Sequence, residues 1–224
     1  MTRMSEIPRT PRRDLRATRN RVRYRDLPSR IARFEVHAID IRQELNLDDS
    51  ERLPHDRALA LLPNLHVHEF SRLAVEQRHV DHMRTAGYKE WSGLAHTKPD
   101  GSHHIIVNDA HQGHDARVTL MEEFFHLYLG HPTETIRRYP AKGHHRSYNE
   151  AKEREAYGCA LASLVPYYGL AGFLSQGVHH ARIAERFDVS VPVVRERISM
   201  TSLGDLSNRT VLQRHLFDPG LGTV

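Results

Sequence analysis

Residues 117–131 read RVTLMEEFFHLYLGH, and three ionisable side chains, Glu122, Glu123 and His126, sit inside this otherwise apolar run. Val118, Leu120, Met121, Phe124, Phe125, Leu127, Tyr128 and Leu129 leave no broad polar face, so the run predicts a buried helix. At about 100° per residue, Glu122 and His126 stand about 40° apart and one turn apart, and Glu123 lies about 60° from His126. Burying charge without compensation is costly, so a metal, a partner or a water-filled cleft must meet that stripe. The spacing E-E-x-x-H differs at one position from H-E-x-x-H, in which side chains at i and i+4 bind zinc and the intervening Glu is the general base. Glu122 then takes the first ligand position, Glu123 the base position and His126 the second ligand position. A carboxylate binds zinc at about 2.0–2.2 Å, much as an imidazole does. A buried Glu–His pair satisfied by an arginine from elsewhere accounts for the same residues.

A third ligand has to come from another element. The segment Glu153-Arg154-Glu155-Ala156-Tyr157 is followed by no formal charge until Arg182. Ala156, Gly158, Cys159, Ala160, Ala162 and Ser163 are small and permit close approach to a neighbouring helix. Glu155 stands where the charged start of this helix meets its buried part, within reach of an ion held by the first helix. An ordinary solvated helix start fits the same residues.

The elements that must position these groups are legible as follows. Residues 31–45 and 55–63 carry helical periodicity, broken at Asp48-Asp49-Ser50 and Pro63. Residues 64–112 are mixed, and after the Pro99-Asp100-Gly101 turn a strand is predicted over His104–Asn108. The helix carrying the acidic pair runs over about 115–130 and is closed by Gly130 and Pro132. Residues 133–148 form a polar loop, and a second long helix starts at Asn149 as N-cap and stops before Pro166. Residues 167–215 read as three short helices. The 26 uncharged residues 156–181 are interrupted by Pro166, Gly169, Gly172, Ser175, Gln176 and two histidines. They read as a buried helix pair, not as a membrane span.

Four blocks in this order, HIIVNDA, RVTLMEEFFHLYLGH, EREAYGCALASLVP and IAERFDVSVPVVRERI, resemble the blocks of the ImmA/IrrE family of metallo-endopeptidases. The resemblance covers about residues 64–200. It implies an α+β, mainly helical chain with a zincin-like peptidase core, a small sheet and a C-terminal helix-turn-helix-like subdomain. It implies His126 and Glu155 as the second and third metal ligands, Glu123 as the catalytic base, and His131 as the frequent non-ligating histidine after the motif. Glu122 departs from the family's first His, and Cys159 replaces its usual Phe. Zn²⁺ is the expected ion; two carboxylates and one imidazole offset both charges of a divalent ion, which makes Mn²⁺ or Fe²⁺ relatively better suited. The implied reaction is metal-assisted peptide hydrolysis, with His144, His145 or Tyr148 placed to assist from the preceding loop. The implied substrate is a helix-turn-helix transcriptional repressor, in a setting of transcription regulation and stress response. The alternative is an inactive peptidase fold that holds a partner protein or DNA.

The totals bound the rest. One cysteine excludes an internal disulfide framework, and no apolar stretch follows the N-terminal charges, which points to the cytoplasm. The formal charge of +4 is uneven. Residues 1–30 hold ten arginines against Glu6, Asp14 and Asp26, leaving +7 there and −3 on the remaining 194 residues. That arm, with Pro8, Pro11 and Pro28, is expected to be disordered in isolation and able to touch DNA phosphates. The expected division is therefore an arm over 1–30, a metallopeptidase-like unit over 31–175 and a helical subdomain over 176–224. Of 18 histidines, eight fall between residues 103 and 145, and only His126 has a spacing argument behind it as a ligand. Ile183 to Ser190 followed by Val193, Val194 and Arg195 also reads as a helix-turn-helix, with Asp188 in the turn and Ser190 capping.

Overall fold

The computed structural model describes residues 27–89, 91–132, 137–139, 143–145 and 149–205. The expected arm over 1–30 lies outside them, apart from its last four residues. Chain order is α1 (Ser29–Glu44), α2 (His55–Leu59), β1 (Leu65–Glu69), α3 (Gln77–Arg84), β2 (Gly93–Thr97), β3 (His103–Val107) and α4 (Gly113–Tyr128). It continues through β4 (Arg137–Tyr139), β5 (Gly143–His145), α5 (Glu150–Leu164), α6 (Tyr167–Ser175), α7 (His180–Phe187) and α8 (Val191–Thr201). The described part is mainly helical with a small three-stranded sheet, a fold compatible with a zincin-like peptidase.

α4 is the central element because almost nothing on it faces water: from Ala116 to Leu129 no residue is exposed. Met121, Phe124 and Phe125 are fully buried; Phe124 stacks on Tyr128, and Phe125 meets it edge to face. α5 packs along α4 on one side and α1 on the other. Ala156, Gly158, Cys159, Ala160 and Ala162 are buried on it, and a β-carbon at Gly158 would come within 2.7 Å of the Phe34 ring. Small residues on α5 thus bring two helices close enough to bury their aromatic side chains. The Cys159 thiol is part of this interior, its pKa pushed up to about 12 by desolvation and secondarily by Glu155. It is a packing residue and no nucleophile.

The sheet order is β1-β3-β2, with β1 and β3 parallel and β2 and β3 antiparallel. Side chains alternate across it. One face carries the fully buried Ile105 and Gly93 against α4; the other carries His66, His68, His96 and His104. Asn108, at the end of β3 and 2 % exposed, donates to the carbonyls of Trp91 (3.1 Å) and Met83 (3.4 Å). Its side-chain oxygen accepts from the Ala110 backbone N–H, so this one residue fastens the entry to β2 beside the entry to α4.

The C-terminal helices are tied to this core by buried cations. Arg197 of α8, fully buried, pairs with Glu35 of α1 and donates to the Val165 carbonyl, while Glu35 accepts from the Tyr167 backbone N–H. Arg117 of α4 donates to the Leu53 carbonyl (3.0 Å) and to the backbone and side chain of Asp188, the left-handed residue (φ 55°) between α7 and α8. The helix pair read from Ile183 to Arg195 is present, as α7 and α8. Ser190 holds the N-cap position of α8, though its side chain makes no capping hydrogen bond there. No single helix among the described residues is long and apolar enough to cross a membrane; α5 and α6 together are bent by 50°. Half of that uncharged stretch is buried inside the protein, which is why its composition looks membrane-like.

Candidate metal and catalytic site

The site forms where α4 crosses the start of α5. Glu122 and His126, one turn apart on α4, meet Glu153 from α5, and one ligand atom from each lies within 4.8 Å of the other two. His126 Nε2 is 3.5 Å from Glu153 Oε2. Donors about 2 Å from a tetrahedral ion stand about 3.3 Å apart, so small side-chain movements would close this set around a divalent cation. Two carboxylates and an imidazole are a chemically suitable donor set for one. Among the described residues no other group of three or more His, Cys, Asp or Glu side chains comes this close together.

Glu155 is not in that group. Its Oε2 lies 3.3 Å from His131 Nε2, and His131 Nδ1 lies 3.2 Å from His126 Nδ1. The backbone explains how His131 gets there. Gly130 follows α4 with φ 68°, the left-handed conformation that glycine adopts without penalty. The His131 N–H then bonds back to the His126 carbonyl (2.9 Å), folding the chain over the end of the helix and setting the two rings together. The proton order follows from the partners. A carboxylate can only accept, so His131 Nε2–H donates to Glu155 and His131 Nδ1 is left as an acceptor. His126 Nδ1–H donates to it, which directs the His126 Nε2 lone pair toward Glu153. A neutral imidazole nitrogen and a carboxylate oxygen facing each other are a pair that a cation can bridge.

Glu123 occupies a separate position beside Glu122, 5 % exposed and turned toward the sheet. A β-carbon at Gly93 would stand 2.9 Å from Glu123 Cγ and from Thr119 Cγ2. The absence of a side chain at the first residue of β2 is what lets the Glu123 carboxylate lie against the strand. One turn beyond Glu153 on α5, the Tyr157 hydroxyl donates to Glu196 of α8 (2.8 Å), and burial first, then that carboxylate, push its pKa upward. It stays a protonated phenol.

Spacing within α4 thus placed Glu122, Glu123 and His126 correctly on neighbouring faces. Glu153 went unseen because the run E-x-E offers two carboxylates, and only the crossing of α4 and α5 decides which one faces His126. The signal for the role of His131 was Gly130, a left-handed turn that returns the next residue to the helix end. Tyr148 lies outside the described residues, as do the side chains of His144 and His145.

Comparison with curated proteins and with solved structures finds no match. Comparison with family models does: the IrrE N-terminal-like domain, a peptidase family, matches residues 72–199. That span holds β2, β3, α4, α5 and the whole three-residue cluster, and it accounts for more than half of the chain. A metallopeptidase-like function, a divalent metal and a protein substrate come with it. The chain belongs to the family of the IrrE N-terminal-like domain.

Proposed function

We propose that this protein is a metal-dependent endopeptidase, with Glu122, His126 and Glu153 holding the ion and Glu123 acting as general base. The observation that carries this reading is the meeting of three ligating side chains from two helices, in a chain of a peptidase family. The resemblance assigns third place to Glu155; the distances favour Glu153 and give Glu155 the task of holding His131, and through it His126. Zn²⁺ is the ion proposed, and the charge-balanced donor set also suits Mn²⁺ or Fe²⁺. What a bound divalent ion supplies is polarisation of the scissile carbonyl and acidification of water.

The chain's own residues do the rest. Glu123 takes the proton from the attacking water and returns it to the leaving amine. Buried against β2 at 5 % exposure, Glu123 has a low-dielectric setting in which its charge acts strongly. Among the described residues no strand pairs with the outer edge of β2, which begins at Gly93 beside Glu123. An extended peptide hydrogen-bonded to that edge would carry its backbone past the carboxylate. The substrate class proposed is a helix-turn-helix repressor, as the ImmA/IrrE resemblance implies, with the protein acting in the cytoplasm in transcription regulation. Within this reading residues 31–175 form the peptidase unit and 176–224 its helical appendage.

Protein purified without chelator tests the proposal. About one tightly bound divalent ion per chain is expected, absent from His126→Ala. Glu123→Gln should keep the ion and lose about 10²–10⁴-fold in cleavage of the helix-turn-helix regulators of its own genome. Protein that is metal-free yet fully folded would overturn the peptidase reading. An ion present with no cleavage of any such regulator would assign the fold to partner binding instead.

A further inference from the structure

The sheet face turned away from α4 carries an imidazole cluster that the peptidase site does not use. The parallel register of β1 and β3 sets His66 opposite His104 and His68 opposite Ile106, so His66, His68 and His104 share one face. His66 packs beside the His104 ring at 5.1 Å between centroids, and His68 lies edge to edge with His104 in nearly the same plane, 5.2 Å between centroids and 11° between planes. His68 Nε2 stands 2.9 Å from His104 Nδ1.

A short polar chain fixes which nitrogen of His104 carries the proton. The Ser102 hydroxyl donates to Asp100 Oδ1 (2.6 Å), and the same carboxylate oxygen accepts from the Ser102 backbone N–H (2.9 Å). The single hydroxyl proton being used there, the Ser102 oxygen can only accept from His104 Nε2–H (2.9 Å). His104 Nδ1 therefore accepts from His68 Nε2–H, and that shared proton is the one an ion between the two rings would replace. Carboxylate, hydroxyl and imidazole in series are the arrangement by which outer partners orient a metal-binding histidine. Desolvation first, then the positive charge of Lys98, lower the His104 pKa and favour the neutral imidazole. A tetrahedral ion with bonds of about 2.0–2.1 Å needs its two nitrogens about 3.3 Å apart, a few tenths of an ångström beyond their present separation.

We propose that this face is a second metal site, in which His68 Nε2 and His104 Nδ1 chelate a borderline divalent transition ion, with solvent completing the coordination. Imidazole pairs favour Cu²⁺ most strongly among the first-row divalent ions, and a soluble Cu²⁺ salt is the probe. The exposed His66, packed beside His104, is the nearest further imidazole. The site lies across the sheet from Glu123, so it stands or falls separately from the peptidase reading.

The test is Cu²⁺ titration of the full chain carrying His126→Ala, which disables the α4–α5 site, followed by electron paramagnetic resonance. One equivalent showing hyperfine coupling to two imidazole nitrogens is expected. His68→Ala/His104→Ala should abolish that signal and weaken binding at least tenfold, with the far-UV circular dichroism unchanged because both side chains lie on the outer face. The milder His68→Gln should lose one nitrogen coupling. Ser102→Ala should weaken binding about tenfold by releasing the His104 tautomer. Copper binding that survives the double substitution with the same signal and affinity, or no two-nitrogen signal in the His126→Ala protein, would overturn the proposal.

Discussion

Glu123 lies against the backbone of β2 only because residue 93 has no side chain to displace it. A methyl group there would sit 2.9 Å from Glu123 Cγ, closer than carbon atoms approach without something moving. Gly93→Ala should therefore push the carboxylate out of line while leaving Glu122, His126 and Glu153 untouched. A fall of at least tenfold in cleavage at unchanged metal content is expected, measured on the same preparation. Unchanged cleavage would mean that Glu123 works from another position. The two carboxylates of α5 make a second residue-scale comparison. Glu153→Gln removes a charged donor from the cluster and should strip the ion. Glu155→Gln leaves the donors in place and removes the acceptor that orders the His131–His126 protons, so metal affinity should drop about 10–100-fold without vanishing. Equilibrium dialysis of both variants against buffered Zn²⁺ decides it, and the opposite ranking would return third place to Glu155. At this scale the sequence was informative wherever both groups sat on one helix, since periodicity converts spacing to angle. It was silent on Glu153 against Glu155, whose difference is set by another helix.

Elements bounded by local chemistry were legible in the same way. α5 starts after Asn149, whose side chain accepts from the Lys152 N–H, and stops before Pro166; α4 stops at Gly130. Each of these boundaries is a residue acting on its own backbone neighbours. The pairing of the sheet was not legible: a small sheet was expected, but only its β3 strand was given bounds, one residue later than its observed span of His103–Val107. β1 and β3 pair in parallel across more than thirty intervening residues, and α3 interrupts them with polar residues that carry little periodicity. Pairing of that kind is set by what lies opposite in three dimensions, here the apolar flank of α4. The turn after α4 yields a prediction at this scale. Gly130 has φ 68° and open space around its Cα, so Gly130→Ala meets conformational strain but no clash. A loss of about 1–2 kcal/mol in stability is expected, read from urea unfolding. Because His131 reaches His126 through this turn, metal affinity should weaken as well. Lost stability with undiminished affinity would show that His131 does not support His126.

Over the whole molecule, charge and architecture separate two readings of the basic isoelectric point. α7 and α8 have the order of a helix-turn-helix, but the turn is fastened to the core through Asp188, which Arg117 and Arg52 both engage. The outward positions of the second helix are Pro192, Arg195, Glu196 and Ser199, one positive charge against one negative, and Glu196 already accepts from Tyr157. A helix so composed and so held offers phosphate little. The surplus of positive charge is in residues 1–30, at +7 against −3 for the rest. DNA affinity, where present, should therefore be a property of the arm: insensitive to sequence and steeply dependent on salt. Each phosphate neutralised contributes about −0.9 to the slope of log affinity against log salt, so ten arginines set a ceiling near about −9. Replacing the arginines of residues 1–30 by serine should flatten that slope to near zero, while Arg195→Ala should change it by no more than about one. Fluorescence anisotropy on two unrelated duplexes at several salt concentrations measures both. Binding that discriminates between the duplexes and survives loss of the arm's arginines would show α8 to be a reader of DNA after all.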